Sequence, residues 1–172
     1  MFYLVRHGEP DYSERNEKIY RGFGANMCPL SSKGREQIIK TAKDKRLQGA
    51  DIILSSPYTR TLQTAAILSK ELQIDIIVET DLHEWVANKN YIYEEDEIAV
   101  KNYNEYIQNK GIYPNGVDKD WESNEIMKIR FFQVLEKYKQ YDKVIVASHG
   151  TLMSAVTGLD RPAHGEIYEL DF

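Results

Sequence analysis

Runs of apolar and β-branched residues with polar boundaries predict five strands along the chain. They lie at residues 2–5, 51–55, 74–78, 143–147 and 167–172. The runs at 51–54 and 144–147 are apolar at nearly every position. Such runs are typical of central strands that are buried on both faces of a parallel sheet.

Between the strands, apolar residues recur at spacings of three and four, which is the period of an amphipathic helix. In the first such pattern we expect Ile38, Ile39 and Ala42 on one face. Strands that alternate with amphipathic helices predict an α/β fold, a three-layer α/β/α sandwich around a mostly parallel sheet. The predicted helices span from Ser31 or Ser32 to about Arg46, 62–72, 127–141, and the residues after His149 to near Gly158.

The stretch at about 85–121 does not follow this alternation. It is rich in tyrosine, carries an acidic run at 94–97 and has no strand pattern. We expect it to form a small helical lid, inserted over one end of the sheet within a single domain of residues 1–172. Open α/β sheets bind ligands at the carboxyl ends of their strands, so a lid there would shape specificity.

The amino-acid composition argues against two classes of binding partner, nucleic acids and membranes. The 172 residues are 42% hydrophobic and 28% charged, as in ordinary soluble domains. The net charge of −5 argues against a nucleic-acid partner, because phosphate backbones require a basic surface. No run approaches the ~20 apolar residues of a membrane span, so no membrane partner is expected. The single cysteine, Cys28, cannot form an internal disulfide, which favours the cytoplasm.

Arginine and histidine side chains lie where three of the predicted strands end. Arg6 and His7 follow the first strand, and His149 follows the fourth. The strand at 51–55 leads into a helix whose first turn holds Arg60. The carboxyl ends of parallel strands share one edge of a sheet, so these four side chains are expected to converge.

Such a cluster is suited to phosphate chemistry. Guanidinium groups match phosphate oxygens, and a neutral imidazole can attack phosphorus, a form that nearby arginines favour. A second, protonated histidine could stabilise the charge that develops on the phosphoryl oxygens. A helix that begins after His149 would also offer backbone N–H groups to an anion. The candidate phosphate-binding residues are therefore Arg6, Arg60, His149, Gly150 and Thr151.

Four ordered segments resemble those of the histidine phosphatase (phosphoglycerate mutase-like) superfamily. They read LVRHGE at 4–9, PLSSKG at 29–34, SSPYTRTLQTA at 55–65 and ASHG at 147–150, and together they span nearly the whole chain. The resemblance implies that His7 is the phosphorylated nucleophile and that Arg6, Arg60 and His149 surround the phosphate. We expect no metal and no cofactor.

The resemblance also implies a general acid. The family's L-x-E element matches residues 82–84, which assigns the acid role to Glu84, because an alkoxide leaves poorly unless it is protonated. Glu79 and Glu122 are the alternative acids. The chain departs from the family pattern at three places, Pro10, Met27 and 85–88, and the last weakens the assignment of Glu84.

Other histidines and cations have simpler interpretations. We expect His83 at the surface or in the lid, and His164 in a turn near the C-terminus. Arg15, Lys18 and Arg21 lie in the loop after the nucleophile, where they are candidates for contacting the part of a substrate that does not react.

The function predicted from the sequence is a metal-independent phosphatase that acts on a phosphorylated small molecule through a phosphohistidine. The alternatives are a phosphoglycerate mutase-type phosphotransferase, a phosphohistidine phosphatase and a non-catalytic module that binds phosphorylated ligands. The complete arginine and histidine set counts against the binding module. The short insertion counts against the mutase, which must exclude water while its intermediate reorients. A homodimer is left open.

Overall fold

The computed structural model describes residues 1–15 and 24–171, and they contain one five-stranded sheet. Its strands are β1 (Phe2–Arg6), β2 (Ile52–Ser55), β3 (Ile76–Val78), β4 (Val144–Ser148) and β5 (Ile167–Leu170). Their order across the sheet is β3-β2-β4-β1-β5, and only β5, paired with β1, runs antiparallel in this sheet. The predicted α/β fold with a mostly parallel sheet is confirmed. Phe172, the end of the last predicted strand, lies outside the described residues.

Helices cover both faces of the sheet. They are α1 (Gly24–Met27), α2 (Ser32–Thr41), α3 (Thr59–Leu72), α4 (Asp96–Gln108), α5 (Asn124–Glu136) and α6 (Gly150–Thr157). Single 3₁₀ turns occur at Lys45–Leu47, Thr80–Leu82 and Pro114–Gly116. Side chains of α2 and α3 pack on one face of the strands, and side chains of α5 and α6 pack on the other. The result is the three-layer arrangement that the alternation predicted.

The two central strands explain the longest apolar runs of the sequence. Every residue of β2 and of β4 is buried. Successive side chains point to opposite faces of a strand, so Val144 and Val146 join the core under α5 and α6, while Ile145 and Ala147 join the core under α2 and α3. Burial on both faces requires apolar residues at all positions, as predicted for these strands.

The first predicted helix is shorter than expected. It begins at the Ser31 cap but ends at Thr41 rather than near Arg46. The Asp44 side chain accepts a hydrogen bond from the backbone N–H of Arg46 at 2.9 Å and thereby caps a separate 3₁₀ turn. A capping side chain of this kind competes with continuation of the helix, so the apolar period crosses a break in the backbone.

Two further details of the helical predictions were wrong. Ile38 and Ala42 are buried one turn apart, but Ile39 is 40% exposed, because adjacent residues of a helix lie about 100° apart around its axis. The helix expected at 127–141 ends at Glu136. Tyr138 still reaches the core from the turn that follows.

The glycines of two sequence motifs pack against each other. A Cβ atom on Gly8 would collide with the carbonyl oxygen of Gly34, and a Cβ atom on Gly34 would collide with the carbonyl oxygen of Glu9. The backbone N–H of Ser31 also donates to the Glu9 carbonyl at 2.9 Å. The loop that follows β1, and with it His7, is therefore held against the N-terminus of α2 by direct contact of the two backbones.

The segment at 85–121 contains α4 and one 3₁₀ turn and, within the described residues, no strand. Tyr106 and Trp121 anchor it in the core, with their rings edge to face at 5.6 Å. The expected helix is present, while its action as a lid stays a prediction. No helix in the described part of the chain is both long and apolar enough to cross a membrane.

The contact between Gly8 and Gly34 predicts an effect opposite to helix propensity. In a solvent-exposed helix, replacing Gly by Ala stabilises by about 1 kcal/mol. We expect Gly34→Ala instead to lower the free energy of unfolding by about 1–3 kcal/mol, because the methyl group overpacks against backbone. Urea unfolding of this variant and of Glu36→Ala, an exposed position of the same helix, measures the difference. A more stable Gly34→Ala protein would contradict the proposed contact.

Candidate active site

The parallel pairing of β1 with β4 brings two histidines together. Arg6 is paired with Ser148 at the ends of these strands, and the backbone N–H of His7 donates to the Ser148 carbonyl at 2.9 Å. The rings of His7 and His149 then lie with their centroids 5.3 Å apart. The arrangement matches the expectation that the strand ends converge on one edge of the sheet.

His7 is held in a single tautomer. Its Nδ1 lies 2.7 Å from the carbonyl oxygen of Gly8, a group that can only accept a hydrogen bond, so the ring proton is on Nδ1. The lone pair is then on Nε2, which accepts a hydrogen bond from Nε of Arg60 at 3.2 Å. This lone pair is the nucleophilic electron pair of a neutral imidazole.

The surroundings keep His7 neutral. Burial, the largest cause, and the positive charge of Arg60 lower the pKa of His7 to about 2. The hydrogen bond to the Gly8 carbonyl acts in the opposite direction and is outweighed. His7 therefore carries its lone pair on Nε2 throughout the physiological pH range.

Arg60 stands at the first turn of α3 and joins three parts of the site. Besides its contact with His7, its Nη1 donates to the carbonyl oxygen of Ala25 in α1 at 2.5 Å. Its guanidinium carbon lies 5.1 Å from the centre of the Tyr58 ring. These contacts orient the guanidinium beside Nε2 of His7, where it can meet the oxygens of a phosphoryl group.

Arg6 forms hydrogen bonds with the turn that precedes β5. Its two terminal nitrogens contact the Pro162 carbonyl at 2.5 Å and Nε2 of His164 at 2.9 Å. Its backbone accepts from the N–H of Gly165 and donates to the carbonyl of Glu166, both at 3.0 Å. No described residue accepts a hydrogen bond from the buried Nε atom. This N–H group is a candidate donor to a substrate oxygen.

His149 is completely buried beneath the site. Its Nε2 lies 2.7 Å from the hydroxyl of Ser56, while its buried Nδ1 has no hydrogen-bond partner among residues 1–15 and 24–171. Burial and the charge of Arg60 hold its pKa well below the ordinary value. The negative charge of a bound phosphoryl group would favour the protonated form, so the role of His149 as a protonated second histidine stays a prediction. Contact of His149 with phosphate stays a prediction.

Glu84 occupies the N-terminus of α6. Its two carboxylate oxygens accept from the backbone N–H groups of Thr151 at 3.2 Å and Leu152 at 3.0 Å, and one of them also accepts from that of Trp85 at 2.9 Å. The Thr151 N–H, which the sequence offered to substrate phosphate, is thus directed to a carboxylate of the protein. An anion at a helix N-terminus is a favourable arrangement.

Neither alternative acid lies at the site. The Glu79 carboxylate accepts from the hydroxyl of Tyr138 at 2.7 Å and pairs with Lys137. The Glu122 carboxylate is buried and forms two hydrogen bonds with Arg130, at 2.6 and 2.9 Å. Both carboxylates have structural partners, whereas Glu84 lines the same cleft as His7 and stays the candidate acid.

The remaining two histidines are closer to the site than their sequence context indicated. His83 is only 4% exposed, and its ring nitrogens contact the Glu84 carbonyl at 2.7 Å and the Tyr91 hydroxyl at 3.2 Å. The expectation of a surface position is therefore wrong, because Tyr91 of the 85–121 segment packs on the ring of His83, with the ring centroids 5.4 Å apart. His164 does lie in a turn, but its ring centroid is 5.5 Å from that of His7.

The site opens into a cleft of about 650 Å³. Part of its wall comes from the 85–121 segment, where the rings of Trp85 and Tyr103 meet edge to face at 5.2 Å. Sequence reasoning missed these two residues as well as Tyr12, Arg161 and His164, none of which belongs to a motif. The cleft is lined by Arg6, His7, Glu9, Pro10, Tyr12, Arg60, Glu84, Trp85, Tyr103, Thr151, Arg161 and His164.

The loop cations proposed for substrate contact are Arg15, Lys18 and Arg21. Arg15 forms an exposed ion pair with Asp96 at 3.4 Å and does not line the cleft. Lys18 and Arg21 lie outside the described residues. Within residues 1–15 and 24–171, no group of three or more His, Cys, Asp or Glu side chains is arranged to hold a metal ion.

Comparison with known proteins agrees with this geometry. A family model described as the histidine phosphatase superfamily (branch 1) matches residues 2–162. The chain belongs to this superfamily. Among curated relatives, a probable phosphoglycerate mutase GpmB of Proteus mirabilis is 30% identical over 174 residues, which cover 95% of this chain and 77% of the relative. A protein of the same name from Escherichia coli is 29% identical over 177 residues, with the same coverage of both chains.

Solved structures of histidine phosphatases share the fold at low sequence identity. A mycobacterial glucosyl-3-phosphoglycerate phosphatase superposes with a TM-score of 0.68 at 19% identity, over 96% of this chain and 87% of that one. A putative alpha-ribazole-5'-P phosphatase from Escherichia coli superposes with a TM-score of 0.61 at 19% identity, over 90% and 76% of the two chains. These similarities support the fold assignment.

The buried histidines predict that the stability of this superfamily member is sensitive to acid. Burial lowers the pKa values of His7, His83 and His149 from about 6.5, so below that pH the unfolded chain binds protons that the native protein does not. The free energy of unfolding should then fall by up to about 1.4 kcal/mol per pH unit for each such histidine. Urea unfolding between pH 7.5 and 5 measures the slope. His7→Asn should reduce this slope by the contribution of one proton. An equal free energy of unfolding at pH 7.5 and pH 5 would contradict the burial argument.

Proposed function

We propose that this chain is a metal-independent phosphatase that hydrolyses phosphate monoesters of small molecules through a phosphohistidine on His7. The observation that carries the proposal is the state of His7, a neutral imidazole whose Nε2 lone pair lies beside a guanidinium in an open cleft. The superfamily assignment limits the reaction to phosphate chemistry. The single cysteine, which cannot form an internal disulfide, supports a cytoplasmic location for this reaction.

In the first step, Nε2 of His7 attacks phosphorus and the bond from phosphorus to the ester oxygen breaks. The phosphoryl group replaces Arg60 as the partner of the Nε2 lone pair. The Nδ1 proton stays on the ring, where the Gly8 carbonyl accepts its hydrogen bond and stabilises the positive charge of the phosphorylated imidazole. Arg6 and Arg60 neutralise the phosphoryl oxygens as the group is transferred.

Glu84 is proposed to donate a proton to the departing ester oxygen, and the alcohol leaves. In the second step, the resulting carboxylate takes a proton from water as that water attacks phosphorus, which releases phosphate and restores His7 and the acid. The support for this role is that Glu84 lines the same cleft as His7.

A mutase reaction is the second candidate, and the names of the curated relatives favour it. A mutase must keep water from the phosphohistidine while the substrate reorients. In this chain the cleft wall includes Tyr12, which is 47% exposed, and the solvent-exposed Arg161. An open wall of this kind favours hydrolysis.

A phosphohistidine substrate is a further candidate because its leaving nitrogen depends less on Glu84. A non-catalytic binding module is the weakest candidate, because it would not account for the presence of a nucleophile.

The phosphohistidine predicts a specific labelling result. When the protein is mixed with ³²P-labelled substrate in excess EDTA and quenched without acid, the label should be stable to base, labile to acid and located on the peptide that contains His7. His7→Asn should abolish both labelling and turnover while retaining the native circular dichroism spectrum. Label on Ser55, Ser56 or the peptide around His149 would contradict the assignment, and dependence of turnover on a divalent ion would contradict the metal-independent mechanism.

The acid role of Glu84 predicts a dependence on the leaving group. Glu84→Gln should slow hydrolysis of an alkyl phosphate by about 10²–10⁴-fold, the usual size of general acid catalysis, because the alkoxide is strongly basic. p-Nitrophenyl phosphate should be affected much less, since nitrophenolate leaves without a proton. Glu79→Gln, outside the cleft, is the matched control and should change neither rate. Equal losses on both substrates would show that Glu84 only supports the site.

A further inference from the structure

The cleft contains a cation that transfer of one phosphoryl group does not use. Arg161 lines the cleft wall and is exposed to solvent. It follows β4 and α6 in the chain but belongs to none of the motif segments. Its Nη1 donates to the hydroxyl of Tyr103 in α4 at 3.2 Å, which is a neutral partner. In the part of the chain that the structure describes, Arg161 forms no ion pair with a carboxylate.

Arg161 lies beside Arg6 at the start of α6. A Cβ atom on Gly150 would lie 2.5 Å from Nε of Arg161 and 3.0 Å from Nε of Arg6, so both guanidinium groups cover the same glycine. After burial, the charge of Arg161 is the next cause that lowers the pKa of Arg6. Two like charges in contact with one residue repel each other, and an anion placed between or beside them would relieve this repulsion.

The charge of Glu84 raises the pKa of Arg6 and so offsets part of this repulsion, but each carboxylate of the cleft also has other partners. Glu9 pairs with Lys33 at 2.7 Å and accepts from the hydroxyl of Ser31 at 3.0 Å. Glu84 accepts from the backbone N–H groups at the start of α6. Since Arg6 and Arg60 suffice to face one phosphoryl group, the charge of Arg161 is left for another part of the substrate.

We propose that Arg161 is a specificity-determining residue that binds a second anionic group, a carboxylate or a second phosphate, on the alcohol part of the substrate. The inference rests on the proposed function, because it takes the phosphoryl group to be bound at His7. Tyr103 orients the guanidinium of Arg161, and the ring of Trp85, in contact with Tyr103, forms the adjoining wall. The size of the cleft, about 650 Å³, leaves room for an alcohol part beyond the phosphoryl group.

Binding of phosphonates tests this inference without turnover. Propylphosphonate and 3-phosphonopropionate differ only in a methyl group replaced by a carboxylate, and ethane-1,2-diphosphonate presents a second phosphonate instead. Titration calorimetry should show that the wild type binds at least one of the two ligands with a second anionic group tenfold to a hundredfold more tightly than propylphosphonate. This gain is expected for a charge-assisted hydrogen bond. Which ligand gains more distinguishes a carboxylate from a phosphate as the second group.

The variants Arg161→Gln and Arg46→Gln remove the same charge at two places. Arg46 pairs with Asp44 at 2.8 Å and does not line the cleft. Arg161→Gln should reduce the preference for the two ligands with a second anionic group to near unity. The affinity of this variant for propylphosphonate should stay within twofold of the wild-type value. Arg161→Lys should restore part of the preference, and Arg46→Gln should retain all of it.

The possible outcomes separate this inference from the proposed function. A wild-type preference near unity, or one that Arg161→Gln does not change, overturns the role of Arg161. An equal loss of affinity for all three ligands in Arg161→Gln also overturns it, because the residue would then only support the site. If the preference and its loss are observed but p-nitrophenyl phosphate is not hydrolysed, the proposed hydrolysis fails while the binding role of Arg161 stands.

Discussion

The parallel hydrogen bonding between β1 and β4 is the interaction on which the site depends. These strands are paired from Phe2 with Val144 to Arg6 with Ser148, and the last hydrogen bond of this edge comes from His7 itself. A shift of one residue would turn every side chain of β1 to the opposite face and carry His7 away from His149. Leu4 and Val5 oppose such a shift, because each is completely buried in the core on its own face of the sheet.

The electrostatics of the site follow from burying bases among guanidinium groups. Burial and positive charge both disfavour protonated imidazole, which lowers the pKa values of His7 and His149. Two buried nitrogens, Nε of Arg6 and Nδ1 of His149, have no hydrogen-bond partner in the described part of the chain. A phosphoryl group would bring negative charge to this arrangement and compensate the guanidinium groups.

The N-terminus of α6 donates hydrogen bonds to a carboxylate of the protein itself, that of Glu84. Anions bind readily at such termini, and the sequence alone suggests that the substrate phosphate does so here. In the structure, Glu84 occupies this position and accepts from Thr151 and Leu152. The same helix thereby supports a candidate acid, while its first residue, Gly150, leaves room for the side chains of Arg6 and Arg161. One helix end thus positions both the candidate acid and the neighbouring cations.

The sequence by itself determined the layers of the fold and the convergence of Arg6, His7, Arg60 and His149. These depend on local information, since the apolar period defines strands and helices, and parallel strands bring their ends to one edge. Tertiary structure alone decided that His83 is buried, and that His164 and Arg161 reach the cleft. Each of these outcomes depends on contacts between residues far apart in the chain, such as Arg6 with His164 and Arg161 with Tyr103, which no local period records.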